Sequence, residues 1–248
     1  MAYYETLAAS LGPMHWWPAK TPFEVIVGAI LTQSTAWTNV ERAIANLRRE
    51  RALTFAALER VPLRRLQTLV RPSGYFRQKA RKLKAFVAFV REEFGGSLAR
   101  MFRTPTAALR ERLLAVHGIG PETADSILLY AGGHPVFVVD AYTHRVLDRH
   151  AISGAMAVSA AHTLAKPAYE TARRMIESAL PRDARLYNEF HALIVNTGKN
   201  WCRKSAPRCS ECPLHDLLPA NSPLRSRANP SAPTIATPQF QLAAEPSL

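Results

Sequence analysis

Three groups of residues in this chain have types and spacings suited to chemistry. The first pairs a glycine turn with a carboxylate. The turn "HGIG" at 117–120 is followed by Pro121, and Asp140, at the end of the apolar run "PVFVV", lies 20 residues beyond Gly120. Two glycines permit a backbone too tight for side chains, and proline at a first helical position opens the next helix. The amides of Ile119, Gly120 and the helix start then point one way, an anion site suited to a phosphate held close to the backbone. The alternative is an ordinary helix–helix turn with a glycine C-cap. Asp140 is placed to cap the helix "AYTHRVLDR". The second group is Cys202, Cys209 and Cys212, spaced C-x6-C-x2-C. An odd number of clustered cysteines is not a secreted disulfide framework and points to metal. The third group is aromatic: Trp16 and Trp17 in tandem, and Trp37 shortly after Gln33 in "LTQSTAW".

The elements that must position these residues read as helical. Phe23, Ile26, Val27, Ile30 and Leu31 form an i, i+3, i+4 stripe, and Val40, Ala43, Ile44 and Leu47 continue it, with Thr38 as the expected N-cap. Similar stripes run over 56–69, 80–94, 107–116, 122–131, 141–149, 160–179 and 187–195. Breakers separate them at Pro62, "RPSGY", "FGGS", "GGHP" and "LPRD". "PVFVVD" at 135–140 has a strand's composition but no evident pairing partner. Residues 218–248, rich in Pro, Ser and Ala without period, read as a disordered tail.

Charge narrows the partner. Thirty-two Lys and Arg against nineteen Asp and Glu give a net charge of +13 over 248 residues, which favours a polyanion such as nucleic acid. A glycine hairpin that grips phosphates without reading bases agrees with that. No apolar run approaches the ~20 residues of a membrane span, and the start lacks signal-peptide regions, so the expectation is a soluble cytoplasmic or nucleoid-associated protein.

The segment "LLAVHGIGPETADSILLYAGGHPVFVVDAYTHRV" resembles the helix-hairpin-helix "GPD" superfamily of base-excision DNA glycosylases, which includes endonuclease III and the adenine glycosylases. The likeness runs from residue 20 to about 217. It implies an all-α, two-domain fold: a six-helix unit over 21–134 with the hairpin, and a second helical unit from 1–20 and 135–217 with the cysteine loop. DNA and a flipped base would lie in the cleft between them, bound by a monomer. Asp140 falls at the family's catalytic aspartate. Cleaving an N-glycosidic bond makes an oxocarbenium-like sugar, and a fixed carboxylate stabilises that charge and orients water. Gly118, Ile119 and Gly120 become phosphate contacts. Gln33 falls where relatives insert an amide into the gap left by the flipped nucleotide; as a lone polar residue beside an apolar helix it reads equally as a surface cap.

Bifunctional relatives carry a lysine nucleophile eighteen residues before the aspartate; here that position is Glu122. A carboxylate forms no Schiff base, so lyase activity through it is not expected. Glu122 is read either as a charge partner of the flipped base or as a first-turn glutamate favourable to the helix dipole. "HWWPAKTPFEVIVGAILTQSTAW" further resembles the branch of bacterial 3-methyladenine DNA glycosylases, which makes Trp16, Trp17 and Trp37 the base pocket. Electron-rich indoles suit a cationic alkylated purine; plain core packing is the other reading of the three. The expected function is monofunctional excision of such a base from duplex DNA. The rivals are a bifunctional glycosylase/lyase on oxidised pyrimidines, a mismatch glycosylase and a non-catalytic DNA-structure binder. The cysteine spacing matches the family's [4Fe–4S] loop, except that Leu218 stands at the fourth cysteine's place. The expected cofactor is a cluster on three thiolates with His215, Asp216 or water on the last iron; a Cys3His zinc site and a metal-free loop are the alternatives. Lys199 is read as solvated.

Overall fold

The computed structural model describes residues 1–14, 16, 19–152, 166–222 and 224–225. Local signals fix the helix starts. Thr21 accepts the Glu24 N–H at 3.2 Å and Pro22 takes the first helical position, so α2 (Pro22–Leu31) begins there, after α1 (Ala2–Leu11). Every residue of α2 from Phe23 to Leu31 is buried, making it the axis of the first half of the chain. Full burial of each Val, Ile or Leu side chain contributes about 1.5–3 kcal/mol relative to exposure. Around it pack α3 (Trp37–Arg49) and α6 (Phe76–Phe94), whose stripe Ala80, Leu83, Phe86, Val87, Val90 and Phe94 is buried. The helix α3 starts one residue before the expected cap: Ala36 occupies the N-cap, Trp37 the first turn, and Thr38 caps nothing.

Pro62 divides the stripe over 56–69 into α4 (Phe55–Arg60) and α5 (Leu63–Leu69). Beyond α6, whose C-cap Gly95 is left-handed at φ 59°, come α7 (Leu98–Met101) and α8 (Thr106–Ala115). The helix α9 (Pro121–Ser126) widens into a π turn over Ile127–Ala131. The chain then runs extended to Asp140, followed by α10 (Ala141–Arg149), α11 (Lys166–Ser178) and α12 (Ala184–Asn200). Of the helical stripe expected over 160–179, the part before 166 lies outside the described residues. Two short 3-10 turns, Cys209–Glu211 and His215–Leu217, close the cysteine loop.

The fold is all-α, with no strand among the described residues. "PVFVVD" is apolar because Val136 to Val139 are buried, not because it pairs with another strand. The helix α12 packs against both α10 and α1, with Tyr4 edge-on to Phe190 and the Met14 N–H donating to Glu189 at 2.6 Å. Among the described residues no helix is long and apolar enough to cross a membrane. Leu218, expected to open the tail, is 5% exposed and belongs to the packed structure, whereas 223 and 226–248 lie outside the described residues.

Candidate active site and nucleic-acid interface

Asp140 sits where the extended segment meets α10. Its Oδ1 accepts the Thr143 N–H at 2.8 Å and the Thr143 hydroxyl at 3.0 Å, which caps α10 and fixes the carboxylate. Oδ2 lies 3.7 Å from His191 Nε2, and the carboxylate is 15% exposed. Burial alone would raise its pKa, but His191 and the two Thr143 donors outweigh burial and hold it below the ordinary value. His191, on α12, is buried and joins the Tyr130 hydroxyl through Nδ1 at 2.6 Å. Tyr130 comes from the π turn, a helix irregularity often found at functional sites. Burial, then the charges of Asp140 and Glu122, keep its phenol well above its usual pKa and therefore neutral.

Glu122, in the first turn of α9, is solvent-accessible yet flanked by protein. Burial, then the negative charge of Asp140, push its pKa up to about 7. Two neighbouring carboxylates are thus driven apart: Asp140 is ionised at neutral pH while Glu122 is poised between forms.

Trp16 packs edge-on to His191, with ring centroids 6.2 Å apart, so it shares this cluster. Lys199 is exposed, as expected of a solvated lysine, and its Nζ also lies 5.6 Å from the Trp16 ring centroid, a cation–π contact. Trp37 is partly buried and packs on the core from the start of α3. Trp17 lies outside the described residues. A separate cavity of about 580 Å³, bounded by α8 and α11, includes neither Asp140 nor Glu122.

The hairpin between α8 and α9 differs in detail from its sequence reading. Gly118 has φ 80°, and a Cβ there would meet the Lys82 side chain at 2.4 Å, so both backbone and space call for glycine. Gly120 has φ −92° with open space around it, which leaves room for an approaching group but does not require glycine. Ile119 is buried, and its N–H donates to Val116 O at 3.1 Å. That amide is therefore spent inside the turn and is not offered to an anion as expected. Gln33 is also engaged: Nε2 donates to Gly118 O at 3.2 Å and Thr123 Oγ1 at 2.9 Å, while Oε1 accepts from Lys82 Nζ at 2.5 Å. Both sides of the amide brace the hairpin, so it is neither an exposed cap nor free to enter DNA in this conformation.

Two residues missed in the sequence lie nearby on the surface. Buried Lys79 donates to Leu31 O at 2.8 Å and Ser73 O at 2.6 Å, drawing the loops after α2 and before α6 together. Ser34 and Tyr75 on those loops are exposed, Tyr75 at 68%, with left-handed φ values of 52° and 43°. Non-glycine residues held in that region mark surfaces where an imposed shape has a use. The sequence signals were the break "RPSGY" for Tyr75 and the segment "LTQST" for Ser34.

The cysteine loop is tied down by arginines. Arg145 donates to Cys202 O at 2.5 Å, and Arg149 to Cys202 Sγ at 3.1 Å and Arg203 O at 2.5 Å. The three cysteines line one small cavity with Leu214, His215 and Leu218. The lining lacks the family's fourth thiolate, because Leu218 is apolar. Among the described residues no three His, Cys, Asp or Glu side chains gather as a metal-binding group. The fourth corner is an apolar leucine, and His215 Nδ1 faces Cys209 O at 3.1 Å.

A helical protein with a glycine hairpin opening one helix and a fixed aspartate capping another has the architecture of a helix-hairpin-helix DNA glycosylase. Residues 27–167 match the HhH-GPD superfamily of base excision DNA repair proteins, and the chain belongs to that family. A Methanocaldococcus jannaschii protein named as a DNA repair glycosylase is 42% identical over 216 residues, covering 86% of this chain and 93% of its own. The Helicobacter pylori 3-methyladenine DNA glycosylase, solved with 1,N6-ethenoadenine, superposes with a TM-score of 0.63 at 28% identity, covering 79% of this chain and 97% of that one. Endonuclease III trapped on DNA shares the fold, with a TM-score of 0.70 at 21% identity over 87% of this chain and 92% of that one. The chain is thus an endonuclease III-like DNA glycosylase of base excision repair.

Proposed function

We propose that the chain is a monofunctional glycosylase that hydrolyses the N-glycosidic bond of a flipped alkylated purine such as N3-methyladenine in double-stranded DNA. The observation that carries the reading is the placement of two carboxylates: Asp140, fixed by Thr143 and His191 at the start of α10, and Glu122 at the position where lyase relatives have an amine. The similarity to the H. pylori 3-methyladenine enzyme supports the same substrate class. The purine cation stacks on the Trp16 ring, which lies beside His191 and the catalytic carboxylate, and ionised Glu122 balances its charge. As the C1′–N bond breaks, the base leaves neutral, so no proton donor is required. Asp140 faces the developing oxocarbenium ion, held by Thr143 and by the Tyr130–His191 pair. Water then bonds to C1′ and its proton passes through the carboxylate to solvent. The hairpin at 117–120 grips the phosphate backbone, and Tyr75 and Ser34 meet the DNA beside it. No step runs through a metal or cluster.

The pH dependence tests this assignment. For release of N3-methyladenine, kcat/KM should rise with pH through about 7 and then level, because the free enzyme's Glu122 must ionise to balance the cation. Glu122→Gln should flatten that limb. A profile that falls through the same pH would make Glu122 a proton donor to a neutral base and contradict the cationic-purine reading. A second reading has one specific support: the Lys199 amine at the Trp16 ring could serve a lyase reaction in place of the missing lysine.

A further inference from the structure

Behind the active-site cleft, five charged side chains and one tyrosine form a continuous, largely buried ladder. Arg110 on α8 grips Asp125 on α9 with two bonds, Nε to Oδ1 at 2.6 Å and Nη2 to Oδ2 at 3.0 Å. Arg110 Nη2 also reaches Glu170 at 2.6 Å; Glu170 holds Arg173 at 2.9 Å, and Arg173 holds Glu177 at 2.6 Å. Asp125 is fully buried, Tyr169 is 3% exposed, and the other four side chains of the ladder are 14–22% exposed. The ladder ends on backbone at two points. Glu177 Oε1 accepts the Phe137 N–H at 2.8 Å. The Tyr169 hydroxyl donates to Asp125 Oδ2 at 2.8 Å and accepts the Val139 N–H at 3.4 Å. Phe137 and Val139 are the third and first residues before Asp140.

Stability alone does not account for such an arrangement. Desolvating three carboxylates and two guanidiniums costs about as much as their pairing returns, and apolar residues of the same volume would serve a core equally well. What the ladder supplies is direction: bidentate and shared hydrogen bonds allow only one register. It also supplies what the extended segment lacks, since 136–139 is buried without a strand partner and needs acceptors for its amides. Its members come from the helix before the hairpin, the helix after it, and α11, so the phosphate grip and the segment ending in Asp140 are braced to one frame.

We propose that Asp125, Tyr169, Arg110, Glu170, Arg173 and Glu177 are positioning residues that set the Asp140 carboxylate against the sugar through the Phe137 and Val139 amides. The inference rests on the role given to Asp140 above. Two variants test it. Tyr169→Phe removes one hydroxyl from an otherwise unchanged shape, and Glu177→Ala removes the acceptor for Phe137. Glu177→Gln, which keeps an acceptor oxygen, serves as the conservative rescue. Single-turnover base release should fall about tenfold or more in the first two and stay within about threefold in the third, since small displacements at a reacting centre cost one to two decades in rate. Affinity for an abasic-site duplex should stay within about twofold in all three. Independently of activity, hydrogen exchange in a peptide spanning 136–140 should quicken in Tyr169→Phe and Glu177→Ala while α2 remains protected. Unchanged exchange overturns the ladder whether or not a substrate has been found. Faster exchange with undiminished release overturns its positioning role, and equal loss of release and affinity reduces it to a folding element. A wild-type protein that releases no base contradicts the function proposed above, and the exchange result still judges the ladder.

Discussion

Asp140→Asn is expected to lower base release about a thousandfold or more while binding of an abasic-site duplex changes by no more than about threefold. Asparagine keeps the oxygen that accepts the Thr143 N–H and hydroxyl, so the cap of α10 and the fold survive. What disappears is the negative charge, which matters most when the sugar turns cationic. The site is built to keep that charge: His191 and Thr143 hold the carboxyl ionised despite burial. Single-turnover release and equilibrium binding on the same variant separate the two effects. Release within tenfold of the unsubstituted chain would remove Asp140 from the reaction.

Gly118→Val is expected to weaken binding of damaged and undamaged duplex alike by about ten- to a hundredfold. The substitution forces a β-branched residue to φ 80° and drives a Cβ into the Lys82 side chain, a strain of about 1–3 kcal/mol that the turn can relieve only by moving. Moving it also disturbs the Gln33–Gly118 bond that ties the hairpin to the end of α2. Phosphate contacts carry no sequence information, so the loss should not depend on the lesion. Gly120→Ala, with ordinary φ and open space, should fold like the unsubstituted chain, and any loss it shows should appear only with DNA present. A Gly118→Val defect confined to one lesion would place the turn in base recognition.

The parts of the molecule legible in the sequence are those decided by neighbours along the chain. Gly118 and Pro121 mark the hairpin, and the first-turn spacing of Asp140 to Thr143 marks the cap, because each depends on bonds within three or four residues. The apolar stripes gave the helices for the same reason. Some misreadings are local, such as the cap of α3 and the Ile119 amide bonded within its own turn, but the others involve distant partners. His191 is 61 residues from Tyr130 and 51 from Asp140, and in sequence it was one polar residue on the apolar face of α12 between Phe190 and Leu193. Gln33 reads as free until Lys82, Gly118 and Thr123 are brought to it. "PVFVVD" carries a strand's composition because burial selects the same residues as pairing does, while its Phe137 and Val139 amides are satisfied by side chains from α11. The cysteine spacing showed the loop but not its interior, where Leu218 packs against the three cysteines and Arg149 donates to Cys202 Sγ.

The central claim is hydrolysis of an alkylated purine without covalent catalysis. It is tested most directly by incubating the full chain with duplexes carrying N3-methyladenine, uracil, a thymine mismatch or an oxidised pyrimidine, with and without borohydride. The expected result is free methylated purine, a strand left intact until alkali treatment, and no borohydride-trapped adduct. Release of a pyrimidine but no methylated purine would contradict the substrate class. A trapped protein–DNA adduct lost in Lys199→Ala would replace the hydrolytic mechanism with a lyase.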